Sequence, residues 1–232
     1  MTRMIRTPAA FALALAAGPL ALTGPAPAAS DGGAALSPPA KGLETWDTTP
    51  LYSDWRMSGI LGGTVLSRDG DAVGIVHDAT IGTTGLIETI VVRAARTDGA
   101  LGWFEVPWTQ ADINPATGSV ELGLDTEAVA SRLEMVTDAA PEPMDWTARE
   151  LLDLRVTLAD GTGAVDDLMF NPAGDLTAYV VDLTQTQAMY ALPWTAGTVA
   201  RDDEVVTFAY PRTMVVGTTP FVYGDVTPAS DG

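Results

Sequence analysis

At 232 residues and 47% hydrophobic content the chain has enough apolar material for a packed core, and 18% charged residues is too few for a disordered polymer. Its 12 Lys+Arg against 30 Asp+Glu leave a net charge of −18, a surface that repels phosphate backbones and anionic lipid and so argues against nucleic-acid binding. The chain has no cysteine and a single histidine, His77, which excludes disulfides, thiol nucleophiles and a multi-histidine metal site within one chain.

Residues 1–28 have the layout of a secretory signal peptide. Arg3 and Arg6 supply the positive start, Ala9 to Ala17 the apolar run, and Ala26-Pro27-Ala28 the small-x-small cleavage pattern. The run falls well short of the roughly 20 residues that a membrane-spanning helix needs. It therefore predicts export to a periplasm or an equivalent compartment, soluble after cleavage and with no stable membrane span; an uncleaved anchor is the rival reading. Residues 29–44, rich in Ala, Gly, Ser and Pro, read as a flexible leader.

The remainder reads as one unit written twice. Phe104-Glu105-Val106-Pro107-Trp108-Thr109 returns as Tyr190-Ala191-Leu192-Pro193-Trp194-Thr195. Upstream, at one constant offset, Trp55 matches Trp146, Leu61 matches Leu152, Val65 matches Val156, and Asp69-Gly70 matches Asp160-Gly161. Small deletions then bring Asp78 onto Asp167 and Ile90-Val91-Val92 onto Tyr179-Val180-Val181. Deletions that fall at turns and keep the apolar frame are expected of a duplicated fold.

Each copy predicts short elements. Thr147 with Glu150 forms a capping box for a brief helical turn, which Ser58-Gly59 and Gly62-Gly63 weaken in the first copy. Strands follow at Thr64 to Ser67 and Arg155 to Leu158, each ending in an Asp-Gly hairpin signal, then at Ala72 to Ile81 and Gly163 to Phe170. The β-branched runs 86–94 and 176–183 are the expected central strands. A strand ending at Pro-Trp comes next, and the last strands are Ser119 to Leu122 and Glu204 to Ala209. Thr126 to Val136 has helical periodicity, Thr137 to Pro143 reads as a Pro-containing linker, and Thr213 to Tyr223 is expected to add a strand before a loose tail.

The fold class is therefore all-β: two small barrels, 45–125 and 146–212, joined by a helix and hinge over 126–145 and followed by a C-terminal strand and tail over 213–232. The motif order resembles the PRC-barrel family. It is carried by Leu-x3-Val (Leu61 to Val65, Leu152 to Val156), Asp-Gly-x-x-x-Gly (Asp69 to Gly74, shortened at Asp160 to Gly163), an Asp on the next strand, a Val-rich strand and a closing apolar-Pro-Trp. That resemblance implies a six-stranded barrel per copy and an adaptor role in a larger complex, as in the reaction-centre H subunit and a ribosome-maturation factor.

Catalytic candidates are thin. His77 and Asp78 could form an acid–base pair, but neighbours on a strand point to opposite faces. Asp78 and Asp167 recur at matching places, where a turn-forming or backbone-bonding role competes with paired-carboxylate hydrolysis or calcium binding. No serine lies in a nucleophile-elbow context and no glycine loop suits phosphate. Trp103, Trp108 and Trp194 are the candidate interaction residues, with core packing the competing reading for the latter two and exposure expected of Trp103. The predicted function is a non-catalytic adaptor of the cell envelope that binds a protein partner and needs no cofactor or metal. The alternative is a periplasmic small-ligand or cation binder using an acidic cleft between the barrels.

Overall fold

A computed structural model describes residues 42–134 and 146–223. The expected signal segment, nearly all of the leader and the Pro-containing linker lie outside these residues.

The fold is predominantly β and is built on two curled, half-barrel sheets of seven strands each. The strands are β1 (Trp55–Arg56), β2 (Thr64–Leu66), β3 (Ala72–Ile81), β4 (Ile87–Ala95), β5 (Leu101–Pro107), β6 (Ala111–Asn114) and β7 (Ser119–Leu122). After these come β8 (Trp146–Thr147), β9 (Arg155–Leu158), β10 (Gly161–Phe170), β11 (Leu176–Leu183), β12 (Met189–Pro193), β13 (Gly197–Ala200) and β14 (Val205–Phe208). Among the described residues four short α-helices punctuate them: α1 (Met57–Ile60), α2 (Thr126–Glu134), α3 (Ala148–Leu152) and α4 (Arg212–Val216).

The N-terminal sheet runs β5-β4-β3-β2-β7-β6 and the C-terminal sheet β12-β11-β10-β9-β14-β13, the same order in each. All pairings are antiparallel except β2 with β7 and β9 with β14. The strand at each Pro-Trp motif ends there for a plain reason. Proline has no N–H for the ladder, and a 3-10 turn, Trp108–Gln110 or Trp194–Ala196, swings the chain into the next strand.

The seventh strand of each sheet comes from the other half of the chain. β1 pairs with β10 (Trp55 opposite Phe170), and β8 pairs with β3 (Trp146 opposite Ile81). The two halves thus exchange their leading strand-and-helix segments. One hydrophobic cluster runs through both sheets, from Val65, Val92 and Val106 to Phe170, Tyr179 and Phe208. Trp55, Trp108 and Phe170 meet where they join, with centroids 5.3–6.5 Å apart.

Three local expectations change. Leu43, placed by sequence in the leader, is buried in a 3-10 turn, Leu43–Thr45. Gly161 is not a turn residue but lies in β10 opposite Leu158. The stretch beyond Thr213 does not open with a strand. The Asp160 carboxylate accepts the Arg212 N–H, Pro211 sets the entry, and a helical turn forms despite Val215-Val216. Among the described residues only Phe221 then bridges to a strand, at Met189.

Candidate functional site

The recurring carboxylates sit at β-bulges. In β3 the pairing to β4 steps from Val76 to Asp78 and leaves His77 as the extra residue; in β10 it steps from Val165 to Asp167 and leaves Asp166. A bulge re-aims the side chains around it. Here it turns both aspartates into the seam between the halves, where Asp78 is 8% and Asp167 0% exposed.

Each aspartate caps a helix of the opposite half. Asp167 Oδ1 accepts the N–H of Ser58 at 3.0 Å, and its Oδ2 accepts the Ser58 hydroxyl at 2.5 Å and Arg56 Nε at 2.9 Å. Asp78 Oδ1 accepts the N–H of Arg149 at 3.1 Å and that of Ala79 at 2.9 Å. Burial pushes the Asp78 carboxyl above the usual aspartate range, partly offset by those N–H bonds. The helix α1, weakened in sequence by Ser58-Gly59, forms because its missing cap arrives from Asp167; α3 adds its own Thr147–Glu150 capping box.

Trp108 and Trp194 are buried at the same seam, 7% and 4% exposed. An added Cβ at Gly174 would lie 2.8 Å from Trp108 Nε1, and one at Gly85 would lie 2.2 Å from Trp194 Nε1. Both glycines sit at positive φ (+92° and +84°), so each indole packs on a turn of the other half that only glycine makes without strain. The structure therefore places these two tryptophans in the interior and not on a face open to a partner.

Trp103 is half-buried on the outer face of β5, between exposed Leu101 and Glu105. The His77 ring meets it edge-on at 4.3 Å, and the Arg93 guanidinium lies 5.7 Å from its centroid. The His77 carbonyl takes a 2.7 Å bond from Arg149 Nε. Burial, with Arg149 next, holds the His77 imidazole below its ordinary pKa. His77 makes no hydrogen bond to Asp78, so the acid–base pair does not form. In a chain this acidic, Trp103, His77, Arg93 and Arg149 make an aromatic and cationic surface. The sequence expects Trp103 to be exposed, and the structure half-buries it against His77; the arginines beside it were not legible, because the register of β4 on β5 sets Arg93 opposite it and α3 brings Arg149 from distant sequence.

A cavity of about 380 Å³ opens between the halves, lined in part by Tyr52, Trp55, Arg56, Phe221 and Tyr223. Arg56 lies 3.5 Å over the Tyr223 ring as well as on Asp167, and Tyr223 donates to Asp166 Oδ2 at 2.5 Å. Burial, with that bond next, raises the Tyr223 pKa well above the ordinary phenol value. Among the described residues no cluster of three or more acidic or histidine side chains is placed to hold a metal ion, and no helix is long and apolar enough to cross a membrane.

No protein-family model matches the chain, and no curated protein matches it significantly.

Proposed function

We propose that the protein is a non-catalytic adaptor of the cell envelope, built from two PRC-type barrels in tandem and exported by its N-terminal segment. The identical strand order of the two sheets supports the duplicated-barrel part of this reading. The observation that carries the functional part is the use made of Asp78 and Asp167: both are committed to backbone N–H groups across the seam. That commitment speaks against a convergent acid–base pair and favours the half-buried Trp103 surface as the cluster with binding chemistry. A half-buried indole flanked by arginines has the composition of an interface anchor.

The test is affinity purification from envelope extract with the wild-type chain and with Trp103→Ala. The expected result is a partner retained by the wild type and lost by the variant at unchanged melting temperature; equal retention by both would overturn the reading. A second reading, a small-ligand binder, is favoured by the aromatic-walled cavity at Tyr52 and Phe221. A thermal-shift screen with calcium, magnesium and polyamines separates the two, because a cation binder shifts at millimolar levels and an adaptor does not.

A further inference from the structure

A strand at the end of a sheet carries a row of unpaired N–H and C=O groups that accept an added strand unless something blocks them. The two sheets end in the same place, at β5 and at β12. The chain itself occupies the β12 edge. The Phe221 N–H donates to the Met189 carbonyl at 2.8 Å in an antiparallel bridge, and the Phe221 ring, buried, stacks on Tyr52 at 5.5 Å.

Met189 stands as far before Pro193 as Trp103 stands before Pro107, and the two have matching neighbours: Asp182 opposite Met189, Arg93 opposite Trp103. The β5 edge has no such strap among the described residues, although α2 packs against β5 where Leu133 approaches Gly102. Among the described residues the backbone from Leu101 to Val106 pairs with β4 and with nothing else. Among the described residues the protein thus has one edge filled at Met189 and one open edge of the same design.

The open edge differs in charge. Where the filled edge has Asp182, the open one has Arg93, which makes no ion pair among the described residues. Arg149, exposed, lies farther back on the same sheet, its Nε on the His77 carbonyl of β3, and adds to the positive field. Glu105 is the single acid of β5 and sits toward the Pro107 end, away from the Arg93 position. Charge complementarity therefore selects an acidic strand whose carboxylates lie toward the Arg93 end.

We propose that the β5 edge at Trp103 takes up an extended acidic segment of a partner protein as an added antiparallel strand, its carboxylates reaching toward Arg93 and its apolar side chains on the Trp103 indole. This rests on the adaptor reading and names the partner class. The experiment titrates the isotopically labelled full chain with a short capped peptide alternating Glu with Val, and with the same peptide carrying Lys for Glu, following amide shifts. The Glu peptide is expected to move the Leu101 to Val106 amides and the Trp103 indole. Its affinity should fall roughly tenfold in Arg93→Gln, and the Lys peptide should bind at least that much more weakly than the Glu peptide. Unchanged shifts elsewhere in Arg93→Gln confirm that the variant is folded. Equal binding of both peptides, shifts centred on another strand, or no shifts at millimolar peptide would overturn the proposal. Shifts that appear on raising protein concentration alone would assign the edge to a second copy of the chain and overturn it too. A partner captured equally by wild type and Arg93→Gln would leave the adaptor reading standing and remove this one; peptide binding with no partner captured does the reverse.

Discussion

Asp167 accepts the backbone N–H of Ser58 at 3.0 Å across a sequence separation of 109 residues, and so caps a helix in the half of the molecule to which it does not belong. Asp78 does the same for Arg149 at 3.1 Å. These two bonds, with the exchanged strands β1 and β8, tie the sheets together, and they give the aspartates that recur at matching places in the sequence a structural use.

Asp167→Ala leaves the Ser58 N–H, the Ser58 hydroxyl and Arg56 Nε without their acceptor, at a site where Asp167 is fully buried but Ser58 and Arg56 are reached by solvent. Breaking a fully buried pair costs about 3–5 kcal/mol, and because the Arg56 side chain is 40% exposed the expected loss is nearer 2–3 kcal/mol. Urea denaturation should show a lower midpoint with an unchanged slope. A midpoint equal to wild type would mean that the cap contributes nothing.

Gly85→Ala and Gly174→Ala each place a methyl group against an indole and force a non-glycine residue to positive φ. Each penalty is about 1–3 kcal/mol. Gly85→Ala should be the worse of the two, since its Cβ would come within 2.2 Å of Trp194 Nε1 compared with 2.8 Å from Trp108 at Gly174. Both variants should also shift tryptophan emission to the red as water reaches the seam, an effect that Gly99→Ala, with open space around it, should not produce.

Asp78 gives the stability a pH dependence of known sign. Its folded pKa is raised, so between its unfolded value, near 4, and the raised folded value the native state binds more protons than the unfolded one. Its contribution is therefore fully present below the unfolded pKa and is lost as pH rises through the folded pKa. Asp78→Asn keeps an Oδ1 acceptor for the Ala79 and Arg149 N–H groups and cannot ionise. The stability difference between variant and wild type should move in the variant's favour across that window and be flat above it. A difference independent of pH would place the Asp78 carboxylate outside the seam.

Much of the β architecture was readable because it is local. Alternating apolar residues marked β3, β10 and the Pro-Trp strands, the β-branched runs marked β4 and β11, and Thr147 with Glu150 marked a helix start that the structure shows as a capping box. The exchange was not readable. β1 and β8 are two residues long, too short to carry a period, and what pairs them is the shape of a distant sheet. The bulges at His77 and Asp166 were hidden for a related reason: a bulge is a mismatch between two strands, and neither strand records it alone. Local propensity misled at Arg212–Val216, where valines favour a strand but Asp160 and Pro211 start a helix. For the candidate site, the indole of Trp103 could be named from sequence, and its setting among Arg93, His77 and Arg149 could not.

Native-state hydrogen exchange at Ser58 and Arg149 tests the interlocked seam most directly, since each amide has an aspartate of the other half as its acceptor. Protection approaching that of core amides such as Val92 and Val181, falling at both sites together in Asp167→Ala, is the expected result. Exchange at the rate of unprotected peptide groups would mean that the leading segments are not held across the seam, and would return Asp78 and Asp167 to the list of free carboxylates.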